Sequence, residues 1–460
     1  MAVMQYITDL QIHSKYSRAV SPKMDLYEIA RWAEKKGINI VATGDWTHPL
    51  WFREIRASLK EVASGLFQLK NPPADAKNEV YFLLSTEISS IYSHKGTVRR
   101  VHNLLFSPSL KTCQSIISVL TGRGCNLMAD GRPIVGLSSK ELLEIALEVD
   151  PDCLLIPAHV WTPWFALFGS KSGYNSISDC FENLSNNVYA VETGLSSDPA
   201  MNWRIAELDS RSIVSFSDAH SGAKLGREAT VFVTNEKSQS LPDDRQGETP
   251  NNKIAYHDIT GAIKQDKNSK LKIGYTIEFF PEEGKYHFTG HRNCKIRLTP
   301  EEVVEKGINC SVCDSALTVG VADRVRQVSS LHGRTETNLF FIKDRYGVTF
   351  VHNRQKKRPP FVSLIPLLEI IVQVEKSPTK SQIKYEQLLN KIGTEFDTLL
   401  RTPYENIASI GGVKLAEAIV NLRERQISVD PGYDGIFGSI SAIDSDEKPA
   451  KPKEEQTTLF

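Results

Sequence analysis

Short apolar runs alternate with helical segments over roughly the first 235 residues of the chain. The runs INIVATGD, VYFLLSTEI, VHNLLF, CLLIPAH, VYAVETG and SIVSFSDAH are too short for buried helices, and we predict that they form buried strands. Between them, MDLYEIARWAEKKG and SKELLEIALEVD carry helical spacing, and Gly37 offers a C-cap for the first. This βα alternation predicts an α/β fold with a parallel sheet or barrel.

The rest of the chain divides by composition into segments of different character. Residues 236–254 are polar and are typical of an insertion or linker. A small cysteine-bearing stretch follows, and residues beyond 360 carry largely helical patterns. The predicted boundaries are 1–235 for the βα domain, 236–283 for an insertion and connecting segment, 284–330 for the cysteine module, 331–440 for a mostly helical domain and 441–460 for a disordered tail.

Composition limits the class of protein only weakly. The formal net charge is zero over 460 residues, so a nucleic-acid surface would have to come from local clusters of basic residues. The sequence shows neither a signal-peptide pattern nor an apolar run of about 20 residues, so we expect no membrane association and a cytoplasmic, nucleoid-associated protein. Three of the seven cysteines cluster together, which favours a metal site over disulfides.

Histidines and carboxylates follow most of the predicted strands. The carboxyl ends of parallel strands meet at one edge of a sheet, so these side chains are expected to lie together. Imidazole and carboxylate groups suit zinc, manganese or iron, and two or three neighbouring ions favour hydrolysis of a phosphate ester by water. The candidate ligands are His13, Asp45, His48, Glu87, His102, His159, Glu192, Asp218 and His220, and Asp9 is a further acid of the same pattern.

The same residues lie in strings that resemble known families. DLQIHS, TGDWTH, STEIS, RVHNLLF, IPAHVWTPWF, AVETGLSSDP and SFSDAHS resemble, in order, the PHP (polymerase and histidinol phosphatase) family. That resemblance implies a distorted βα barrel with a trinuclear metal site at its mouth. HSKYSRA, GDWTHP, HVWTPWFALFGSKSG, LGREATVF, TIEFFPEEGKYHFTGHRNC and CSVCDSALTVGVADRV look like the endonuclease Q family of DNA-repair nucleases, over about residues 5–440.

The endonuclease Q resemblance implies a metal-dependent endodeoxyribonuclease. It would nick DNA 5′ of uracil, hypoxanthine, xanthine or an abasic site, using water activated by Mg²⁺ or Mn²⁺, with zinc as another occupant of the site. The nine candidates would be its ligands, and Asp45, Glu87, Asp218 and His220 would take part in catalysis. Gln11 departs from the family's His-X-His motif, and its neutral amide predicts that one ion binds loosely or is missing.

A second metal site is predicted from GHRNC and CSVC. His291, Cys294, Cys310 and Cys313 form two short ligand pairs separated by 15 residues, which is close to the spacing of a zinc ribbon. His287 is an alternative fourth ligand, although its spacing is less suitable. Such a closed site stabilises a small fold and rarely catalyses.

Basic and aromatic residues near both sites are candidates for DNA contact. Basic runs are usually solvated faces and aromatics near strand ends are usually core, but their place beside a phosphodiester-cleaving site favours phosphate and base contacts. The string IASIGGVKLAEAIVNLRER also resembles a helix-hairpin-helix, although a plain helix cap explains its two glycines about as well. The candidates are Trp161, Trp164, Phe165, Ser170, Lys171, Arg292, Lys356, Lys357 and Arg358.

The final QTTLF resembles short peptides that bind sliding clamps. Gln456, Leu459 and Phe460 would contact PCNA or the bacterial β clamp at the end of a polar tether.

Two other functions fit parts of the sequence. A PHP phosphoesterase acting on a small phosphate monoester would need the metal cluster but neither the cysteine module nor the clamp-like tail. A catalytically impaired, clamp-tethered protein that binds lesions without cutting would explain Gln11.

Overall fold

A computed structural model describes residues 4–235, 254–331, 334, 338–354 and 357–443. The strands are Gln5–Asp9 (β1), Ile40–Ala42 (β2), Leu59–Ala63 (β3), Leu66–Leu69 (β4), Tyr81–Leu83 (β5), Ser85–His94 (β6), Thr97–Phe106 (β7), Ile134–Val135 (β8), Leu154–Pro157 (β9), Ala190–Glu192 (β10), Ser212–Val214 (β11), Ala229–Thr234 (β12), Leu271–Glu278 (β13), Thr289–His291 (β14), Ile296–Leu298 (β15), Leu339–Lys343 (β16), Thr349–Asn353 (β17), Phe361–Ser363 (β18), Ser428–Asp430 (β19) and Ser439–Ser441 (β20).

The helices are Leu26–Lys36 (α1), Pro49–Ser58 (α2), Leu110–Gly122 (α3), Ser139–Val149 (α4), Ile177–Phe181 (α5), Pro199–Asn202 (α6), Tyr256–Ile263 (α7), Pro300–Lys306 (α8), Val321–Leu331 (α9), Leu367–Glu375 (α10), Pro378–Ile392 (α11), Glu395–Leu400 (α12), Tyr404–Gly411 (α13) and Val413–Arg423 (α14). None of these helices is long and apolar enough to cross a membrane.

The strands form a mixed α/β fold rather than the parallel sheet expected from the βα alternation. The largest sheet has the order β16-β17-β18-β13-β12-β1-β2-β5-β4-β3, and a second sheet has the order β8-β6-β7-β9. The β1–β2 and β2–β5 pairs are parallel, whereas β12 runs antiparallel to β1 and β4 antiparallel to β5. Tight hairpins such as β3–β4 permit antiparallel neighbours, and the described strands divide into five sheets. Closure into the distorted barrel that the resemblance implies stays a prediction.

Helix α1 forms where the sequence predicts it. The Asp25 side chain accepts hydrogen bonds from the backbone N–H groups of Tyr27 and Glu28, which caps the amino end. Gly37 adopts a left-handed conformation with φ = 89° at the carboxyl end. The apolar face of the helix is buried, so capping and burial favour the same segment.

The two predicted later domains share the main sheet with the first. Residues 254–283, expected as a connecting segment, form α7 and β13, and β13 pairs with β12. Residues 331–440, expected to be mostly helical, contribute β16, β17 and β18 to this sheet before α10 begins. These additions arise from long-range strand pairing, which composition does not indicate. The two helices α13 and α14 flank Gly412, at φ = 91°, which fits a helix-hairpin-helix and a plain helix cap equally well.

A buried ion pair joins α1 to the helical region. Lys36 Nζ lies 2.9 Å from Glu395 Oε2, and the two side chains are 2% and 4% exposed. Glu395 also accepts hydrogen bonds from Tyr385 Oη at 2.7 Å and from the Leu367 backbone N–H at 3.0 Å. All partners of this carboxylate are therefore buried protein groups, and removing the lysine would leave its charge uncompensated.

We predict that Lys36→Met lowers the free energy of unfolding by about 3–5 kcal/mol, since breaking one side of a buried pair is strongly destabilising. Urea denaturation would measure this loss. The neighbouring Lys35 is the matched control, because its pair with Glu386 is 2.6 Å long but partly exposed. Lys35→Met should cost less than about 1 kcal/mol. Equal losses for the two variants would contradict the interpretation.

Candidate metal centres

Three candidate residues have strained backbone conformations just beyond strand ends. Asp45, His159 and Asp218 have φ values of 45°, 29° and 49°, in the left-handed region that side-chain-bearing residues rarely adopt. A Cβ on Gly194 would lie 2.3 Å from the His159 Cβ, so this position also requires a glycine. Such strain persists only where the surroundings hold it, and it is frequent at functional sites.

The carboxylate of Glu87, on β6, lies between two groups of possible ligands. Its Oε2 accepts a hydrogen bond from Gln11 Nε2 at 2.8 Å and lies 3.2 Å from His13 Nε2. Its Oε1 lies 2.5 Å from His102 Nδ1 and 3.5 Å from His159 Nε2. Oε2 therefore faces His13, and Oε1 faces His102 and His159. A carboxylate placed in this way can bridge two cations.

The first group is His13, Asp218 and His220, and the second is Glu87, His102 and His159. In each group the possible ligand atoms all lie within 4.8 Å of one another. The His13 and His220 rings meet edge to face at 4.8 Å between centroids. The second group is wholly buried, whereas Asp218 and His220 are partly exposed and form the open side of the site.

The carboxylates around His13 favour a positive charge between the two groups. Burial alone would lower the pKa of this imidazole, but the carboxylates raise it well above its ordinary value. His13 Nδ1 donates to Asp45 Oδ1 at 3.0 Å, and its Nε2 then faces Asp218 Oδ1 at 3.1 Å and Glu87 Oε2 at 3.2 Å. His13 Nε2, Asp218 Oδ1 and Gln11 Oε1 are all buried without a hydrogen-bond partner. A proton on Nε2 or a cation bound to it would relieve the repulsion between these atoms, and the neutral ring with its proton on Nδ1 fits a metal ion.

The carboxyl groups of the site differ in their pKa. Burial alone would raise the pKa of Glu87, but His102 and Arg132 hold this pKa well below its ordinary range. At Asp218 burial also raises the pKa, but His220 and His13 lower it further, so the pKa of this carboxyl is below its ordinary value. Burial dominates at Glu192 and raises its pKa to about 7. Glu87 and Asp218 are therefore ionised near neutral pH, as cation ligands must be.

Asp45 lies behind His13 rather than within either group. Its Oδ2 accepts hydrogen bonds from the Ser14 backbone N–H at 2.6 Å, the Ser14 hydroxyl at 2.7 Å and the Ser17 hydroxyl at 2.8 Å. Its Oδ1 accepts from His13. In this structure Asp45 thus orients the candidate ligand His13, which is the usual task of a carboxylate behind a metal-binding histidine. Ligation by Asp45 itself stays a prediction.

His48 and Glu192 also lie outside the two groups. The His48 ring stacks on Tyr16 at 4.5 Å, and its Nδ1 is buried without a partner. Glu192 accepts hydrogen bonds from the backbone N–H groups of Gly194, at 2.8 Å, and His159. Glu192 therefore holds the strained backbone of His159. That His48 or Glu192 binds a metal ion remains a prediction.

Asp9 supports the loop that carries Asp218. Its Oδ1 accepts from the Ser217 backbone N–H at 2.9 Å, and its Oδ2 accepts from the Ser217 hydroxyl at 2.6 Å and the Gly226 N–H at 2.9 Å. Asp9 thus holds the backbone beside Asp218 and lies outside both groups of candidate ligands.

Arg132 is a site residue that sequence reasoning missed. Its Nη1 lies 3.5 Å from Glu87 Oε1, and its side chain is partly exposed. A guanidinium at the open side of a carboxylate-rich site is suited to contact a phosphate. Arg132 lies in the connection between α3 and β8, away from every strand-end motif, so no sequence pattern marked it.

The second centre brings the four predicted zinc ligands together. The ligand atoms of His291, Cys294, Cys310 and Cys313 lie within 4.8 Å of one another. The β14–β15 hairpin carries the first pair, and Cys310 packs in a small apolar cluster with Leu298, Val303 and Leu317. These sulfur and nitrogen donors fit zinc. His287 packs against Phe288 and lies outside the group, so the structure favours His291 as the fourth ligand.

Two solved structures match nearly the whole chain. A structure of Endonuclease Q in complex with a 27-mer duplex containing an abasic lesion is 30% identical, with a TM-score of 0.75 over 96% of this chain and 98% of that chain. The chain belongs to the endonuclease Q family. The lesion-specific endonuclease PfuEndoQ from Pyrococcus furiosus is 29% identical, with a TM-score of 0.75 over 95% of each chain.

Two uncharacterised proteins are similar in sequence to this endonuclease Q family member. YqxK of Bacillus subtilis is 26% identical over 415 residues, covering 89% of this chain and 90% of YqxK. MJ0043 of Methanocaldococcus jannaschii is 30% identical over 305 residues, covering 64% of this chain. The match spans only 33% of the length of MJ0043. No family model matches the chain.

The aromatic DNA-contact candidates of this endonuclease Q chain differ in exposure. Trp161 is fully buried, packs on Phe168 at 4.7 Å and donates its indole N–H to Asn202 Oδ1 at 2.8 Å. It is therefore a core residue, and the expectation that it contacts DNA is wrong for this conformation. Trp164 and Phe165 are only partly buried and remain candidates.

The polar candidates also separate into free and engaged side chains. Lys171, Arg292 and Lys357 are exposed. Arg358 is mostly buried and forms an ion pair with Asp209, so it is not free to bind a phosphate. Ser170 lies against the cysteine module, with its hydroxyl 3.5 Å from the Val319 carbonyl oxygen. Lys356, Gln456, Leu459 and Phe460 lie outside the described residues.

We predict that His291→Ala lowers the zinc content of the purified protein by about one ion per chain, because a structural zinc site needs four ligands. His287→Ala is the matched control, since His287 is a neighbouring histidine that lies outside the ligand group. It should leave the zinc content unchanged. Elemental analysis after dialysis would measure both. Loss of zinc with His287→Ala alone would show that the ligand assignment is wrong.

Proposed function

We propose that this protein is a metal-dependent DNA-repair endonuclease that hydrolyses the phosphodiester beside a damaged nucleotide. The observation that carries the proposal is the Glu87 carboxylate, which presents one oxygen to each of two ligand groups. Family membership adds support, because one related structure holds a DNA duplex with an abasic lesion at its active site. Phosphodiester hydrolysis is the chemistry that paired cations promote best.

The substrate and cofactors are proposed in more detail from the resemblance. The substrates would be uracil, hypoxanthine, xanthine and abasic sites in DNA, with the nick on the 5′ side of the lesion. Mg²⁺ or Mn²⁺ would serve catalysis, and zinc would occupy the cysteine module. A sliding clamp would be a partner through the carboxyl-terminal peptide.

The residues of the site have separate tasks in this proposal. His13, Glu87, His102, His159, Asp218 and His220 would hold the ions, which would neutralise phosphate oxygens and lower the pKa of water when bound. Asp45 fixes His13 in the tautomer that presents Nε2 to the site. Arg132, beside Glu87 and partly exposed, would bind a non-bridging phosphate oxygen and orient the scissile bond.

His220 is suited to bind an ion on the open side of the site. Its Nδ1 donates a hydrogen bond to the Asp218 carbonyl oxygen at 2.8 Å, which fixes the tautomer. Nε2 of this partly exposed ring then carries a lone pair. Asp218 and His220 are both at the entrance, so an incoming phosphodiester would meet them first.

We predict that the protein nicks a duplex containing one uracil, hypoxanthine or abasic site in the presence of Mn²⁺, and leaves an undamaged duplex intact. Asp218→Asn should slow nicking by more than about 100-fold, since even residues behind a metal ligand typically contribute 10- to 100-fold. Denaturing electrophoresis of end-labelled strands would measure both rates.

The control for this assay is Asp75→Asn, which changes an exposed aspartate on another segment. It should nick like the wild type. p-Nitrophenyl phosphate, tested beside the duplex, separates an endonuclease from a phosphomonoesterase. Turnover of the monoester without nicking would reject the proposal.

The alternative of a catalytically impaired lesion-binding protein is favoured by Gln11. However, the Gln11 amide N–H₂ donates to Glu87 Oε2 at 2.8 Å, and its Oε1 is buried without a partner. The residue thus holds the shared carboxylate and keeps an oxygen available to a cation. Its geometry supports a working site with one weaker ligand.

We predict that Gln11→Leu lowers the nicking rate by about 10- to 100-fold, because it removes the hydrogen bond that orients Glu87. Gln11→His should change the rate by less than about tenfold, since the imidazole would replace one ligand by another. Nicking assays with metal content measured in parallel would test this pair. An inactive wild type that gains activity with Gln11→His would instead support the impaired-protein alternative.

A further inference from the structure

The turn between β19 and β20, residues 431–438, is held rigidly against the segment that precedes the cysteine module. Its backbone forms hydrogen bonds with that segment at both ends and in the middle. The bonds are Gly432 N–H to Glu282 O at 2.8 Å, Gly435 N–H to Lys285 O at 2.8 Å, Gly438 N–H to Glu283 O at 3.0 Å and Phe288 N–H to Gly432 O at 2.9 Å. This turn, the 431–438 turn below, is therefore anchored along its length.

Glycines permit this close approach. A Cβ on Gly432 would lie 2.5 Å from the Gly284 carbonyl oxygen, and a Cβ on Gly438 would lie 2.3 Å from the Glu282 carbonyl oxygen. Gly435 has φ = 89°, a left-handed conformation. The local sequence is thus specialised for one fixed backbone shape.

The rigid turn presents apolar side chains to solvent. Phe437 is 70% exposed and Ile436 is 41% exposed. A flexible turn could bury such residues, but an anchored one holds them outward. The Lys285 ammonium lies 5.5 Å from the centre of the Phe437 ring, so a cation flanks the aromatic surface. Exposed aromatic rings held in this way indicate a binding surface.

Contacts connect Phe437 to the metal centre. Lys285 Nζ also lies 5.8 Å from the Tyr286 ring, and Tyr286 meets Trp164 edge to face at 5.3 Å. Phe165, the next residue, lies 4.9 Å from the ring of His102. The aromatic surface therefore continues from the turn to a metal-ligand candidate.

The charges around the turn suit DNA better than an apolar protein partner. The exposed guanidinium of Arg292 lies against the turn, with Nη1 3.2 Å from the place where a Gly435 Cβ would be. The Lys285 ammonium lies beside the Phe437 ring, at another point of the turn. Paired basic groups beside an aromatic ring allow phosphates and bases to be bound together.

We propose that Phe437 inserts into the base stack of duplex DNA next to the damaged nucleotide. The ring would occupy the space left when that nucleotide turns toward the metal centre, while Trp164 and Tyr286 line its path. Inserted apolar side chains offset the cost of unstacking in this way, and an extruded base is otherwise costly. This inference rests on the proposed endonuclease function.

The test compares Phe437→Ala with Phe437→Trp on two substrates. One is a duplex with a paired hypoxanthine, and the other holds the same lesion in a mismatched bubble. Phe437→Ala should lower nicking of the paired duplex by about 10- to 100-fold, as loss of one base–aromatic stack does. It should leave nicking of the bubble within about twofold, because no stack has to be opened there. Phe437→Trp should retain activity on both.

Phe341→Ala is the matched control, because Phe341 on β16 is 59% exposed and lies on another element. It should behave like the wild type on both substrates. Equal losses for Phe437→Ala on the duplex and the bubble, or no loss on either, would overturn the insertion. Thermal unfolding of each variant would show that the fold is retained.

A second readout separates this inference from the proposed function. 2-Aminopurine beside the lesion fluoresces when it unstacks, and the increase on binding should be lost with Phe437→Ala. An Asp218→Asn background allows binding to be measured without cutting. A wild type that nicks neither substrate would reject the endonuclease function. An aminopurine signal that Phe437→Ala leaves unchanged would reject insertion alone.

Discussion

A carboxylate buried in protein stays ionised only where cations or hydrogen-bond donors surround it, and the arrangement of the metal centre follows from this constraint on Glu87. The groups that face its oxygens come from elements that are distant in sequence: Gln11 after β1, His102 on β7 and His159 after β9. These strand ends must therefore converge for the charge to be stable. With its two oxygens directed to separate groups of side chains, the same carboxylate that costs stability in isolation would serve, in the proposed function, as a shared ligand for two cations.

The surrounding carboxylates hold the shape that this arrangement needs. Strained residues such as His159 and Asp218 each cost about 1–3 kcal/mol in backbone conformation. Glu192 accepts the His159 backbone N–H, and Asp9 accepts the backbone and hydroxyl of Ser217, next to Asp218. Charge-assisted hydrogen bonds of this kind offset the strain. Acids that look like ligands in the sequence thus divide into those that face the ions and those that fix the backbone.

That division explains how far the sequence could predict the site. The strands of the first domain and helix α1 depend on neighbours within a few residues, and these predictions agree with the structure. His291, Cys294, Cys310 and Cys313 also lie together, and zinc between them stays a prediction. The roles of Asp45 and Glu192 depend on which way each carboxylate turns, which the spacing does not determine. Trp161 has the same local pattern as Trp164 but lies in the core. The mixed strand order was not predictable either, because β16, β17 and β18 reach the sheet only through long-range pairing.

The cysteine module also has a structural link to the metal centre. Arg324, on α9 just after the module, donates to the carbonyl oxygens of Phe168 at 2.8 Å and Tyr174 at 3.0 Å. These carbonyls belong to the loop that starts at His159 and carries Trp164. Removing that guanidinium would leave two partly buried acceptors without donors, so the loop depends on the placement of α9. A zinc that only stabilises the cysteine module would therefore still determine how the loop with Trp164 lies beside the metal-ligand candidates. Such a zinc would affect catalysis without touching the substrate.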